Sequence, residues 1–169
     1  QNLKNQKKKQ NEMCEIANDN ADGQIILSGD KTTIDDFKNF LKEKKIKSIP
    51  LKVSAPFHCS LMKPAEEIMK NKIKNINFDK PQFNLIYNVT ATVENDLSKI
   101  KKLLIEQICS TVRWRESIIK MSKEGVNNFI EIGPGKVLSG MVKRTIKNAN
   151  CFSINSIADI KNLVNEFKK

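Results

Sequence analysis

The sequence predicts an α/β fold, and three observations indicate this class. Short apolar segments alternate with amphipathic segments along most of the 169 residues. Turn-forming residues separate them, as at Asp22-Gly23 and at Gly133-Pro134-Gly135. No internal repeat or long low-complexity tract interrupts the alternation. Such a pattern predicts a largely parallel sheet, in which sites gather at the carboxyl ends of the strands.

The first part of the chain, residues 1–54, predicts a small α/β subdomain. Its second helix is supported by Thr33 and Asp36, which imitate a capping box before an apolar stripe. Pro50 places its last strand near a sheet edge or at a strand start. In order, the predicted elements are a polar helix at 1–17, a turn at 18–23, a strand at 24–28, a helix at 33–45 and a strand at 48–54.

The second part, residues 55–169, alternates in the same way. Pro64 is compatible with a helix because it lies in the first turn, and Gly125 ends a later helix. The predicted elements are helices at 61–76, 97–109, 113–123, from 137 onward and 157–167, with strands at 83–89, 128–132 and 151–154.

The chain length fits one domain or half of a larger one. The sequence starts at Gln1, within a lysine-rich stretch that is typical of a helix interior. We therefore expect a further N-terminal part.

The positive charge narrows the classes of partner. Thirty basic against nineteen acidic residues give a formal net charge of +11, which suits nucleic acid, a membrane surface or an acidic protein. The lysines are dispersed, aromatics are few and no nucleic-acid-binding motif is present, so we expect no nucleic acid partner. No apolar run approaches the roughly 20 residues of a membrane span and no secretory signal is visible, so we expect a cytoplasmic protein without a membrane partner.

The cysteines predict structural thiols. They are widely separated and lack the paired spacing of a zinc knuckle or a redox motif, so we expect no metal site. Cys59 follows His58 directly, but adjacent side chains on an extended segment point to opposite faces. We expect the Cys59 thiol to pack behind the loop. The four cysteines are Cys14, Cys59, Cys109 and Cys151.

A glycine-rich turn, Gly133-Pro134-Gly135-Lys136, lies between a predicted strand and a predicted helix. Backbone N–H groups at such a turn are able to bind a phosphate. The turn lacks the Ser or Thr that follows the Walker lysine, and it lacks the three-glycine dinucleotide pattern. We interpret it as a structural turn.

His58 is the chain's only histidine. A small side chain and a proline precede it and an apolar pair follows, which suits a ring presented at the mouth of a strand-to-helix loop. A lone histidine is more often structural than catalytic, so the position alone leaves both roles open.

The segment Val-Ser-Ala-Pro-Phe-His-Cys-Ser-Leu-Met-Lys-Pro-Ala at 53–65 resembles the histidine motif of malonyl-CoA:acyl carrier protein transacylases. Three further segments resemble this family in the same order, and together the four cover most of residues 14–144. These segments are Asn-Ala-Asp-Gly-Gln-Ile-Ile-Leu-Ser-Gly at 20–29, Glu-Gln at 106–107 ahead of Val-Arg-Trp at 112–114, and Phe-Ile-Glu-Ile-Gly-Pro-Gly-Lys-Val-Leu-Ser-Gly-Met at 129–141.

The resemblance implies transfer of malonyl from malonyl-CoA to the phosphopantetheine thiol of acyl carrier protein in fatty acid synthesis. A serine acts as nucleophile in that family, and His58 matches its general base. Gln107 matches the glutamine whose main-chain carbonyl accepts the other imidazole N–H. Asn20 matches an active-site asparagine that binds substrate. No bound cofactor is implied, the acyl carrier protein is expected to dock on lysine-rich surface, and the full-length enzyme is expected to be a monomer.

The resemblance also implies the end of a ferredoxin-like small subdomain at 1–54 and the later part of an α/β-hydrolase-like large subdomain at 55–169. The serine elbow Gly-x-Ser-x-Gly of the family is absent from the sequence. The arginine that pairs with the malonyl carboxylate is also unmatched, because Arg113, Arg115 and Arg144 fall on other segments. We therefore expect a C-terminal portion that is inactive by itself.

Two alternatives stay open. The first is a polyketide-type acyltransferase of the same superfamily, although the resemblance associates Phe57 with the choice of malonyl. The second is a noncatalytic remnant that serves as a binding module. Acyl transfer that is restored when the missing half is supplied favours the enzyme over the remnant.

Overall fold

The computed structural model describes residues 13–168, in which helices and strands together form a mixed α/β protein, as predicted. No helix in this range is both long and apolar enough to cross a membrane. The helices predicted after residue 60 all form, with bounds close to those expected. The elements are β1 Cys14–Ala21, β2 Gln24–Gly29, α1 Lys31–Glu43, a 3-10 turn Ser60–Met62, α2 Lys63–Lys74, β3 Ile86–Tyr87, β4 Thr92–Val93, α3 Leu97–Glu106, α4 Trp114–Lys123, β5 Asn128–Ile132, α5 Val137–Thr145, β6 Asn150–Ile154 and α6 Ile157–Phe167.

The start of the described chain differs from the predicted polar helix. Residues 1–12 of that helix lie outside the described residues, and the prediction is wrong for its remainder, which begins β1. β1 pairs antiparallel with β2, so the predicted turn shrinks to residues 22–23. The polar residues before this turn continue the strand because the main chain of Val112 bonds to Ala17 and Asp19.

The strand predicted at residues 48–54 does not form. Ile49, Leu51 and Val53 alternate as in a strand, yet each is more than half exposed. No described strand pairs with this segment, and an alternating pattern without a pairing partner does not make a sheet. The described part of the predicted small subdomain is therefore one hairpin followed by α1, and its ferredoxin-like character stays a prediction.

The described sheets are small, and one of the three is parallel. β1–β2 and β3–β4 are antiparallel pairs, whereas β5–β6 is a parallel pair connected through α5. The predicted strand at 83–89 shrinks to the two residues of β3. The prediction of a largely parallel sheet is thus wrong for residues 13–168. Phe152 of β6 and Phe167 of α6 meet edge to face at 5.6 Å between ring centroids, which holds α6 on this pair.

The buried core is limited in size. Ile118 of α4 and Cys59 beside the 3-10 turn are its fully buried larger side chains among the described residues. Several apolar side chains of β5 and α6 stay exposed instead, and Ile132 is 81% exposed. The described chain therefore leaves these apolar side chains of β5 and α6 uncovered. They are Ile130, Ile132, Ile157, Ile160 and Val164.

Gly29, at the end of β2, lies against the main chain of Met13. A Cβ atom at Gly29 would lie 1.9 Å from the carbonyl oxygen of Met13, so the backbone would have to shift. We expect Gly29→Ala to lower the free energy of unfolding by about 1–3 kcal/mol, measured by chemical denaturation. Gly140→Ala in α5 is the control, because its Cβ meets nothing within 4 Å and alanine favours a helix interior. Equal stability of the two variants would contradict the packing at Gly29.

Candidate functional site

His58 lies in the loop before α2 with a left-handed main chain. Its φ of +59° costs a residue with a side chain on the order of 1–3 kcal/mol. Cys59 returns to an extended conformation and opens the 3-10 turn. The Cys59 thiol is buried and donates to the carbonyl of Pro56 at 3.1 Å, which confirms the prediction of a packed thiol. The loop therefore buries Cys59 and leaves the imidazole partly accessible.

The imidazole contacts the main chain of a second loop. Nδ1 of His58 lies 2.9 Å from the carbonyl oxygen of Gln107, the first residue after α3. The Gln107 side chain turns away and donates to the carbonyl of Leu104 at 3.2 Å. A carbonyl only accepts, so the contact places the proton on Nδ1 and leaves Nε2 with the lone pair in a neutral ring. Of the three predicted site residues, the structure brings these two into contact.

β1 connects the loop that holds the imidazole to the loop that holds its acceptor. The carboxylate of Glu15 accepts the N–H of Ser60, with oxygen distances of 3.3 and 3.4 Å. The hydroxyl of Thr111 donates to the carbonyl of Ile16 at 2.6 Å. Sequence reasoning missed Glu15, because a single glutamate in a polar stretch gives no local signal for a partner 45 residues away.

Asn20 lies in β1, where its side chain is largely buried at 9% exposure. Within residues 13–168, no hydrogen bond joins this side chain to His58 or Gln107. The turn expected around Asn20 is replaced by strand, so its neighbours differ from those predicted. Its role in substrate binding stays a prediction.

The arginines around Trp114 already have acidic partners. Arg113 donates to Glu116 at 3.0 Å and to the carbonyl of Thr90 at 3.0 Å. Arg115 donates to both oxygens of Asp19, at 2.8 and 2.7 Å. Both guanidinium groups are therefore bonded within the protein, which agrees with the prediction that neither pairs with the malonyl carboxylate.

The glycine-rich turn before α5 is structural. The carboxylate of Glu131 accepts the N–H groups of Leu138 and Ser139 at 3.1 and 2.8 Å. The N–H of Gly135 donates to the side-chain oxygen of Asn155 at 2.7 Å. Donors that a phosphate would need are therefore used within the protein, which confirms the sequence interpretation. The sequence contains a pattern that predicts this contact, because an acidic residue near the end of a strand can accept the free N–H groups at the start of the next helix.

Hydrogen bonding to the Ser139 backbone N–H is the main reason that the pKa of Glu131 is lowered. A second hydrogen bond involving the Ser139 side chain acts in the same direction, and burial opposes it. The carboxylate is thus favoured over the protonated acid in the folded protein.

The remaining thiols show no sign of reactive or metal-binding chemistry. Burial raises the pKa of Cys14, Cys109 and Cys151. A raised pKa keeps a thiol protonated and unreactive near neutral pH. In the part of the chain that the structure describes, no three His, Cys, Asp or Glu side chains converge as metal ligands. The raised pKa values agree with the interpretation of Cys14, Cys109 and Cys151 as structural thiols.

No protein-family model matches the chain. Curated proteins nevertheless match it. A malonyl CoA-acyl carrier protein transacylase of Haemophilus influenzae is 37% identical over 157 residues, which are 92% of this chain and 50% of the relative. A protein of the same name from Bacillus subtilis is 40% identical over 158 residues, 93% of this chain and 50% of the relative. The chain thus spans about half the length of the curated relatives it matches.

Solved structures give the same result. An acyl-carrier-protein-S-malonyltransferase from Bartonella henselae has a TM-score of 0.87 at 38% identity, covering 93% of this chain and 50% of that one. A malonyl-transacylase in complex with its type II PKS acyl-carrier protein has a TM-score of 0.87 at 31% identity, covering 92% and 50%. The described fold therefore matches half of each of these proteins.

The single histidine makes the ring contact measurable. We expect a long-range ¹H–¹⁵N correlation spectrum, recorded where the ring is neutral, to show Nδ1 protonated, because the carbonyl at 2.9 Å holds that tautomer. Gln107→Ala should leave the spectrum unchanged, since the main-chain carbonyl remains. A ring protonated at Nε2 in the unsubstituted chain would show that the contact is absent in solution.

The lowered pKa of Glu131 predicts an acid-dependent loss of stability. The stabilisation is fully present above the ordinary glutamate pKa of about 4.3 and is lost as pH falls through the lower native value. We expect Glu131→Gln to reduce Tm by about 2–4 °C at neutral pH, and the difference to narrow below about pH 4. Circular dichroism melts across pH measure this. Glu67→Gln, at an exposed position in α2, is the control for the loss of one surface carboxylate.

Proposed function

Because the chain is homologous over nearly its whole length to half of a malonyl CoA-acyl carrier protein transacylase, we propose that it forms the base-carrying part of such an enzyme. The observation that carries the proposal is the 2.9 Å contact between Nδ1 of His58 and the carbonyl of Gln107. This contact leaves Nε2 of His58 available to accept a proton. The intact enzyme transfers malonyl from malonyl-CoA to the phosphopantetheine thiol of acyl carrier protein.

His58 acts in two successive acyl transfers. In the first, Nε2 takes the proton of a serine hydroxyl whose oxygen attacks the malonyl thioester, and the imidazolium returns that proton to the departing coenzyme A thiolate. In the second, Nε2 takes the proton of the phosphopantetheine thiol, whose sulfur attacks the malonyl-serine ester. The imidazolium then returns the proton to the serine oxygen. The Gln107 carbonyl stabilises each imidazolium by accepting its Nδ1–H.

The serine is supplied from outside this sequence. No Gly-x-Ser-x-Gly elbow is present in the sequence. Three serines within the family motifs lie in a strand, a helix and a 3-10 turn rather than at such an elbow. Ser28 lies buried in β2, and the hydroxyl of buried Ser139 lies 3.2 Å from that of Ser153. Ser60 belongs to the 3-10 turn. Arg113 and Arg115 already pair with Glu116 and Asp19. The arginine that binds the malonyl carboxylate therefore comes from the same part of the enzyme as the serine.

Acyl carrier protein is the proposed partner. A net charge of +11 favours an acidic protein, and one structural neighbour was solved with its acyl-carrier protein. Acyl transfer between oxygen and sulfur needs no bound cofactor, so the proposal includes none. The carrier protein in that neighbour is of the type II PKS kind, which keeps a polyketide-type acyltransferase as the second candidate.

A joined enzyme tests the proposal. The half of the Bacillus subtilis relative that this chain does not match is fused to it, and malonyl transfer to carrier protein is measured. We expect transfer, and we expect His58→Asn to lower kcat by about 10²–10⁴-fold, because a positioned general base contributes that much. Asparagine is chosen because it tolerates positive φ, so the backbone at this position is preserved.

Ser60→Ala, two residues from the histidine, is the matched control and should retain activity. An unchanged kcat in the His58→Asn variant would refute the base assignment. A joined protein that folds and binds carrier protein without transferring malonyl would favour the noncatalytic remnant. Equal use of malonyl-CoA and methylmalonyl-CoA would favour the polyketide-type enzyme.

A further inference from the structure

We infer that Asp19 and Arg115 form a positioning pair that fixes β1 against the loop after α3, and so fixes Asn20 relative to the contact between His58 and Gln107. The inference rests on the proposed function in one respect, namely that Asn20 faces the substrate. Neither member of the pair belongs to the motif positions that suggested the enzyme family.

The pair joins β1 to α4 through two parallel hydrogen bonds, a fork. Arg115, in the first turn of α4, donates from Nε and Nη2 to the two carboxylate oxygens of Asp19, at 2.8 and 2.7 Å. The Asp19 side chain is 14% exposed and that of Arg115 is 38% exposed. Two parallel hydrogen bonds between planar groups fix orientation as well as distance. Asp19 therefore holds one place on β1 relative to α4.

The same stretch of β1 is bonded through its main chain to the loop before α4. The N–H of Asp19 donates to the carbonyl of Val112 at 2.9 Å, and the N–H of Val112 donates to the carbonyl of Ala17 at 2.8 Å. This loop begins at Gln107, whose carbonyl faces the imidazole, while Asn20 directly follows Asp19. One short length of strand therefore carries Asn20 and bonds to the loop that carries Gln107.

Pairing with β2 is irregular at this point. The register of β1 against β2 shifts between Ile16 and Asn18 and again between Asp19 and Ala21. Each irregularity leaves a residue without a regular ladder partner and bends the strand. A slip of one residue would also move Asn20 to the opposite face. Asp19 itself pairs with Ile25, but the ladder is interrupted on both sides of this short stretch, so the fork from Arg115 adds a contact that holds its register.

The Asp19–Arg115 pair is expected to matter more for the position of Asn20 than for the stability of the fold. Partly exposed ion pairs contribute little to stability. A displacement of about 1 Å in a group that holds the substrate lowers kcat/KM by up to about 10²-fold. Loss of the pair should consequently affect the site more than the melting temperature.

The first test uses this chain alone. Amide hydrogen exchange is measured by NMR at Asp19 and Val112. We expect Asp19→Asn to increase exchange at both amides about tenfold, and Arg115→Lys, which keeps the charge but loses the fork, to increase it less. Glu116→Gln is the matched control, because it removes another arginine–carboxylate pair, which joins α4 to Arg113, the residue directly before that helix. Equal exchange in Asp19→Asn and Glu116→Gln would overturn the inference.

The second test uses the joined enzyme. We expect Asp19→Asn to raise the KM for malonyl-CoA about tenfold while kcat and Tm change little, with Arg115→Lys intermediate and Glu116→Gln unchanged. Faster amide exchange with an unchanged KM would show that the pair is merely structural and would overturn the inference. An unsubstituted joined enzyme without activity counts against the proposed function instead, and the exchange result then decides whether the pair fixes β1.

Discussion

The hydrogen bond between the His58 ring and the Gln107 carbonyl joins two loops that lie 49 residues apart, and the candidate site depends on it. A single hydrogen bond contributes about 0.5–1.5 kcal/mol net, whereas the left-handed backbone at His58 costs on the order of 1–3 kcal/mol. The contact alone therefore does not hold the histidine in place. The buried Cys59 thiol and the Glu15 carboxylate fix the main chain just after His58, and these anchors make the ring geometry possible.

The helices and the ring contact were the most predictable features. Helices α2 to α6 follow from their own apolar periodicity, which is a local property of the sequence. The motif resemblance, rather than any local pattern, paired His58 with Gln107. Strand predictions failed where the outcome depends on a distant partner. The polar end of β1 continues the strand because its main chain bonds to Val112 in a distant segment, and residues 48–54 find no partner strand among those described.

Contacts that complete the site share this long-range character. Glu15 meets Ser60 across 45 residues, and Asp19 meets Arg115 across 96. Neither carboxylate differs in sequence context from the many solvated charges of this lysine-rich chain. Only the fold distinguishes them. The exposed apolar side chains of β5 and α6 are likewise known only from the fold, because their sequence pattern predicts burial.

The left-handed backbone at His58 separates two demands on one position. The main chain requires a residue that tolerates positive φ, and the proposed chemistry requires an imidazole. Asparagine and aspartate satisfy the first demand, because both are enriched in the left-handed region. In the genetic code each is one nucleotide substitution from histidine. A single nucleotide substitution can therefore remove the proposed base, and the substituted chain would keep the same loop conformation.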